Sequence, residues 1–336
     1  KAIAELVEKQ IANGLKGVTD GEFRRAYWHL DFFWGLNGVE HTQAKIGYQF
    51  HDETTKPDSA DVVAKITGEG HPFVAHYKFL RDLVGDRAEV KQTIPAPAQF
   101  YFELIRDEEH IAQTYSVYEN KEELFADIIK SYKQVIKEHY EAGCRVIQLD
   151  DCTWGAIVDD RLIKLIAEGS GLNPEGIREA FIQDFIALNN GIITDLPEDL
   201  VVNTHICRGN YHSTWASSGG YDSVADTLFG EENVNAYYLE YDTDRAGDFK
   251  PLAKVGKDKK VVLGLITSKF ADLEDKEEVI ARIKEASEYV PLENIYLSTQ
   301  CGFASTEEGN VITEEDQWKK IGLIKEIVEE VWGTEK

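Results

Sequence analysis

Gly143-Cys-Arg-Val-Ile-Gln-Leu-Asp150 joins the end of a helix to a strand. Gly143 is a C-cap signal behind a long helix predicted over Lys121–Ala142, and Arg145–Asp150 is an aliphatic run closed by a carboxylate. The same alternation continues to the C-terminus. Helices are predicted over 159–168 and 174–192, then strand Leu200–Cys207, a helix near Ser223–Leu228 and strand Asn235–Tyr241. A short helix near 247–254, strand Lys260–Thr267, helix 275–289, strand Asn294–Cys301 and helix 314–332 complete the series. Upstream, Ala88-Glu-Val-Lys-Gln-Thr-Ile-Pro95 is a strand ended by a Pro-x-Pro turn. Before it, helix Ala2–Asn13 carries Ile3, Leu6, Val7 and Ile11 on one face and leads into a short strand, Gly17–Phe23. Residues 26–80, rich in aromatics and histidine, read as an irregular excursion covering one end of the fold.

Regular β–α alternation implies parallel strands and right-handed crossovers. Seven strands are counted, and the chain opens on a helix of the kind that follows a strand. The expected fold is therefore α/β, a (β/α)₈ TIM barrel forming one domain over residues 1–336, with its first strand expected before residue 1. A doubly wound open sheet is the alternative. It would want a Gly-rich phosphate turn, and no G-x-G-x-x-G occurs.

In such a barrel the active site lies at the C-terminal ends of the strands. Those ends read Asp20-Gly-Glu22, Gln148-Leu-Asp150, His205-Ile-Cys207, Glu240-Tyr-Asp242, Thr267-Ser268 and Gln300-Cys301-Gly302. Buried polar groups without partners are costly, so this clustering calls for a purpose. His205 and Cys207 share one strand face through the period of two. One imidazole, the thiolates of Cys207 and Cys301 and the carboxylate of Glu240 suit tetrahedral zinc. The alternatives are a satisfied core histidine and thiols buried as small hydrophobes. Cys144 lies at the start of a strand, the stability end, and reads as structural; Cys152 reads as a bystander. Sulfur ligands around zinc suit thiol activation, because the thiolate is the nucleophile. Glu240 would be the ligand that an incoming thiol replaces.

The composition narrows the function classes. A formal net charge of −25 over 336 residues repels nucleic acid and anionic membrane, so neither is expected as a partner. No apolar run reaches the ~18 residues of a membrane span, and the start has no apolar h-region. A cytoplasmic address is expected. The four cysteines do not read as a disulfide framework. Nothing in the sequence specifies an oligomeric state.

Five segments together resemble the catalytic barrel of cobalamin-independent methionine synthase, in particular the shorter single-barrel bacterial proteins of that family. They are Val18-Thr-Asp-Gly-Glu-Phe-Arg-Arg25, Val146-Ile-Gln-Leu-Asp-Asp151, Asn203-Thr-His-Ile-Cys-Arg-Gly209, Tyr238-Leu-Glu-Tyr241 and Ser298-Thr-Gln-Cys-Gly-Phe303. The resemblance implies a Zn2+-dependent S-methyltransferase that moves a methyl group to homocysteine, giving methionine, commonly from a methyltetrahydrofolate. It makes His205, Cys207, Glu240 and Cys301 the zinc ligands, and Glu22 and Asp150 the carboxylates that hold the amino group of homocysteine. A salt bridge to Arg24 or Arg208 is the plainer role for that carboxylate pair. The family carries a proton-moving histidine in the loop after the seventh strand; here Thr267 is read at that place. Asp151, Asp242 or His212 is expected to deliver the proton instead, since methyl loss from a folate amine requires one. Trp154 and Trp215 are the candidates to stack a pterin, and Tyr27, Trp28, Phe32, Phe33 and Trp34 read as packing.

Several alternatives follow. The donor could be a corrinoid or a sulfonium compound. A barrel lyase resembling uroporphyrinogen decarboxylase would need no zinc and would use an arginine cluster such as Arg24-Arg25, leaving the His/Cys/Glu/Cys set unexplained. A non-catalytic zinc-binding or sulfur-handling protein is the third reading.

Overall fold

The computed structural model describes residues 1–168 and 170–333. The chain divides into two compact units.

The first unit comprises Lys1–Gln49, Thr54–Thr153 and Asp184–Val202. Helix Ala2–Ala12 buries Ile3 and Val7 and leads to β1 (Gly17–Val18). An antiparallel hairpin follows, β2 (Asn37–Gln43) with β3 (Asp58–Thr67), interrupted by a register shift between Asn37 and Val39. β4 (Glu89–Pro95) pairs parallel with β1 on one side and with β5 (Val146–Asp151) on the other. Between β4 and β5 runs the predicted long helix, observed at Lys121–Glu141 and N-capped by Asn120.

The region from 26 to 80 is more regular than the sequence reading expected. Besides the hairpin it contains helices Leu30–Phe33 and Pro72–Val84. The strand pattern of β3 is masked by charge: Asp58, Asp61 and Lys65 alternate poorly, while Ala60, Val62 and Ile66 are buried. Helix Pro72–Val84 starts with proline in its first turn, and the His71 ring accepts from the Phe73 amide as its cap. The Pro-x-Pro turn is likewise the start of a helix, Pro97–Leu104, followed by another at Glu108–Val117.

The second unit comprises Phe50–Glu53, Trp154–Gln183 and Asn203–Lys336. It takes β6 (Val201–Ile206) from Asn203 onward, then β7 (Ala236–Glu240), β8 (Lys260–Ile266) and β9 (Ile295–Thr299), each parallel to the next. Helices Ala225–Glu231 and Lys276–Ala286 connect them, and Glu314–Trp332 follows the last. The helix expected near 247–254 is two short 3₁₀ turns, Asp244–Ala246 and Lys250–Lys254. Inner strand residues such as Val261, Leu263 and Ile295 are fully buried, as parallel strands covered on both faces require. The register sets Glu240 beside Gly264. A Cβ on Gly264 would lie 2.6 Å from Gln300 Cα and 2.7 Å from the Leu239 carbonyl, so only glycine lets these backbones approach.

All seven strands predicted for the alternating sheet are present among the described residues, each within a few residues of its expected place. Among the described residues, no helix is long and apolar enough to cross a membrane.

Candidate metal centre

β6 presents His205, and Cys207 follows immediately after its end. The register places His205 opposite Tyr238, whose carbonyl lies 3.1 Å from His205 Nδ1. A carbonyl only accepts, so Nδ1 carries the proton and Nε2 keeps its lone pair. That is the usual outer hydrogen bond of a metal-binding imidazole. Cys301 follows β9 by two residues. Cys207 Sγ and Cys301 Sγ are 3.8 Å apart, and the donor atoms of His205, Cys207 and Cys301 all lie within 4.8 Å of one another.

This spacing fits a metal. Two thiolates about 2.3 Å from a tetrahedral zinc stand about 3.8 Å apart. A disulfide would need about 2.05 Å. None of the four cysteines is in a disulfide. The Gly209 amide donates to Cys207 Sγ at 3.2 Å, a contact that favours the thiolate. Without a cation, the neighbouring Cys207 and then burial push the Cys301 thiol well above its ordinary range. A divalent cation reverses that preference.

Glu240 ends β7 and is 1% exposed, yet it lies outside the His/Cys group. Its carboxylate accepts from the Arg208 amide at 2.9 Å and from Arg245 Nη1 at 3.0 Å. Burial works to raise this carboxyl, but the charges of Lys269, Arg208 and Arg245 outweigh it and hold it below the usual range. Arg208 is itself buried, bonded to the Gly219 carbonyl and the Tyr221 hydroxyl.

Asp242 lies two residues on. Burial first, then the Glu240 charge, raise its carboxyl above the ordinary range. Its Oδ2 is buried without a hydrogen-bond partner, and Oδ1 is 3.5 Å from Arg245 Nη2. Asp242 lines a cavity of about 450 Å³ with Trp215, Thr243, Arg245, Thr267 and Lys269. The Arg245 guanidinium sits 5.1 Å from the Trp215 ring centroid.

The other predicted site residues divide between this cavity and places away from it. His212 does not line that cavity: its Nδ1 pairs with Glu53 at 2.6 Å and its ring stacks on Tyr211. Asp151 is fully buried, accepting from the Thr153 amide and hydroxyl and from Asn189 Nδ2 at 2.9 Å. It thereby caps the turn that starts helix Thr153–Ile157. Trp154 is wholly buried and offers no face to a ligand, whereas Trp215 lines the cavity. Thr267 lines the cavity: its amide donates to Glu274, its hydroxyl accepts from the Lys269 amide, and its side chain works to lower the Asp242 carboxyl.

Glu22 and Asp150 belong to the first unit and lie close enough that the Asp150 charge raises the Glu22 carboxyl, after the larger effect of burial. Glu22 accepts from Arg25 at 2.9 Å and from the Thr93 hydroxyl at 2.7 Å. Its backbone sits at φ 58°, a strained conformation that favours glycine and clusters at functional sites. Asp150 accepts from Gln148 Nε2 at 2.7 Å. Arg25 is committed to Glu22, Thr93 and the Trp28 carbonyl, and Arg24 lies over the Phe79 ring beside Asp20.

Lys269, Arg245 and Asn210 were not singled out by the sequence. The only signal was a cation or amide lying within a few residues of a strand end.

The catalytic-domain family of cobalamin-independent synthases matches residues 1–317. The chain belongs to that family. Among its relatives, YxjH and YxjG of Bacillus subtilis are each 45% identical, covering 98% of this chain and 84% of theirs. A solved structure from Listeria monocytogenes, assigned as a vitamin-B12-independent methionine synthase, is 35% identical with TM-score 0.72, covering 99% of this chain and 86% of that one. A B12-independent methionine synthase from a Shewanella strain shares the fold at TM-score 0.69 and 21% identity, covering 98% of this chain and 86% of its own. The fold class is therefore the α/β TIM barrel of the cobalamin-independent synthases, and family membership supports a methyltransferase.

Proposed function

We propose that the chain is a zinc-dependent thiol methyltransferase that converts homocysteine to methionine, with 5-methyltetrahydrofolate as donor. The observation that carries this is the trio His205, Cys207 and Cys301, with sulfurs 3.8 Å apart and the imidazole tautomer set by the Tyr238 carbonyl. Zinc bound there would lower the pKa of a substrate thiol while sulfur ligands keep the thiolate nucleophilic. Glu240 is the fourth ligand in this reading, and it leaves Arg245 to take that place.

The remaining roles belong to side chains. Glu22 and Asp150 repel each other, and an ammonium between them relieves that repulsion through charge-assisted hydrogen bonds. This suits the amino group of an amino-acid substrate. Asp242 offers an unpartnered carboxylate oxygen to a ligand in the cavity, and Trp215 offers an aromatic wall. The lyase reading loses its support, because Arg24 and Arg25 are held by local partners. The burial of Trp154 removes one pterin platform, which keeps corrinoid and sulfonium donors in the comparison.

The test is methionine formation from homocysteine by zinc-loaded protein, with methyltetrahydrofolate, methylcobalamin and S-methylmethionine as separate donors. Methionine from the first supports the full proposal. Methionine from another donor alone replaces the donor. None from any donor overturns the function.

A further inference from the structure

The cavity of the second unit contains a cation whose hydrogen-bond donors the roles above leave unused. Lys269 is 1% exposed and lines the cavity beside Asp242, Thr267 and Arg245. Its ammonium carries three donors. Among the described residues, Asn210 Oδ1 at 3.3 Å is the one acceptor within hydrogen-bond distance. Arg245 is different, being committed to Glu240 and Asp242. Its charge favours the Glu240 and Asp242 carboxylates, yet one acceptor leaves two of its three donors without a hydrogen bond, and buried donors left unmade are costly.

The backbone around Lys269 is built to aim it. The Thr267 hydroxyl accepts from the Lys269 amide at 3.2 Å, closing a tight turn just after β8. The Thr267 amide is held by Glu274, which buried Lys320 holds in turn at 3.0 Å. Ser268 donates to the Gly302 carbonyl at 2.8 Å. Asn210 also reaches Gly302, again at 2.8 Å, and Ser305 at 3.0 Å. Asn210 lies three residues after Cys207, and Gly302 directly follows Cys301. The ammonium is thus tied to both segments that carry the cysteines.

We propose that Lys269 is a further catalytic residue of the methyl transfer, handing a proton to the amine nitrogen that the methyl group leaves. This rests on the reading of the chain as a thiol methyltransferase with an N-methyl donor. In that step the sulfur–carbon bond forms as the carbon–nitrogen bond breaks, and the bond's electron pair stays on nitrogen. The Lys269 proton joins that nitrogen, and the neutral lysine amine regains a proton from water. No oxidant or reductant is needed.

The test compares zinc-loaded wild type with Lys269→Gln and Lys269→Ala, using homocysteine with methyltetrahydrofolate or with S-methylmethionine. A sulfonium leaves as a neutral thioether and needs no proton. With the N-methyl donor, kcat is expected to fall by about 100-fold or more, the usual range for loss of a general acid. With the sulfonium it should stay within a few-fold. Zinc content and homocysteine affinity, measured by elemental analysis and calorimetry, should not change. Added methylammonium should restore part of the Lys269→Ala rate, and this decides the matter if the sulfonium is not a substrate. Equal losses with both donors, weakened homocysteine binding that accounts for the loss, absent rescue, or an unchanged rate would each overturn the role. Wild type that uses only the sulfonium overturns the role of Lys269 and leaves thiol methylation standing. Wild type that uses neither donor overturns the role of Lys269, and it overturns thiol methylation as well if methylcobalamin also fails.

Discussion

Cys207 Sγ and Cys301 Sγ face each other at 3.8 Å although 94 residues separate them in sequence. That is a metal-bridging distance, and a short side-chain movement would turn it into a disulfide. Protein purified under reducing conditions should hold about one zinc per chain, and Cys301→Ala should lose it. After chelation, mild oxidation should link Cys207 to Cys301, seen as one disulfide by peptide mass mapping. Zinc retained at full stoichiometry by Cys301→Ala would remove Cys301 from the site.

Gly155 controls the same site through backbone. A Cβ there would lie 2.0 Å from the Cys207 carbonyl oxygen, so Gly155→Ala must displace the segment carrying Cys207. Outer-shell disturbances of this kind weaken metal binding by about 10- to 100-fold. Competition with a chromophoric chelator would measure it. Wild-type affinity in a folded Gly155→Ala protein would show that the helix, not the ligand segment, absorbs the displacement.

Asp151 is expected to matter for stability and not for chemistry. Both its oxygens accept from Thr153 and Asn189 in a fully buried place. Asp151→Asn should lower unfolding free energy by about 1–3 kcal/mol, since a buried charge-assisted bond is lost. Activity per folded molecule should hold. A collapse of kcat at unchanged urea midpoint would return Asp151 to the list of proton donors.

Acid sensitivity should come from buried histidines of the first unit. Burial holds His71 and His139 at about 4, far below the ordinary 6.5. As pH falls below 6.5 the unfolded chain takes up these protons first, so folded stability is full above about 6.5 and is lost progressively toward 4. Each site contributes about 3 kcal/mol across that window. The urea midpoint should fall steadily between pH 7 and pH 4.5, and His139→Gln should flatten the fall. A midpoint that is level across this range would show that both imidazoles gain solvent or partners when protonated.

Much of the fold was legible in the chain, because its signals are local. A helix, its glycine stop and an aliphatic strand follow one another from residue 121 onward, and each period can be read within a short window. The hairpin of residues 37–67 was not legible, since its buried face is interleaved with charged residues whose partners lie far along the chain. His205 and Cys207 were readable as a pair for the same local reason: two residues apart on a strand share a face.

What the sequence determined by itself was the order of strands and helices, and the residue types placed at each strand end. Which of those residues meet was decided by tertiary structure alone. Strand register and burial bring Cys301 to Cys207, commit Glu240 to Arg245, hide Asp151 and Trp154, and turn Lys269 into the cavity. These outcomes depend on distances between residues far apart in sequence and on the cost of desolvating charge, and neither is encoded in any local pattern.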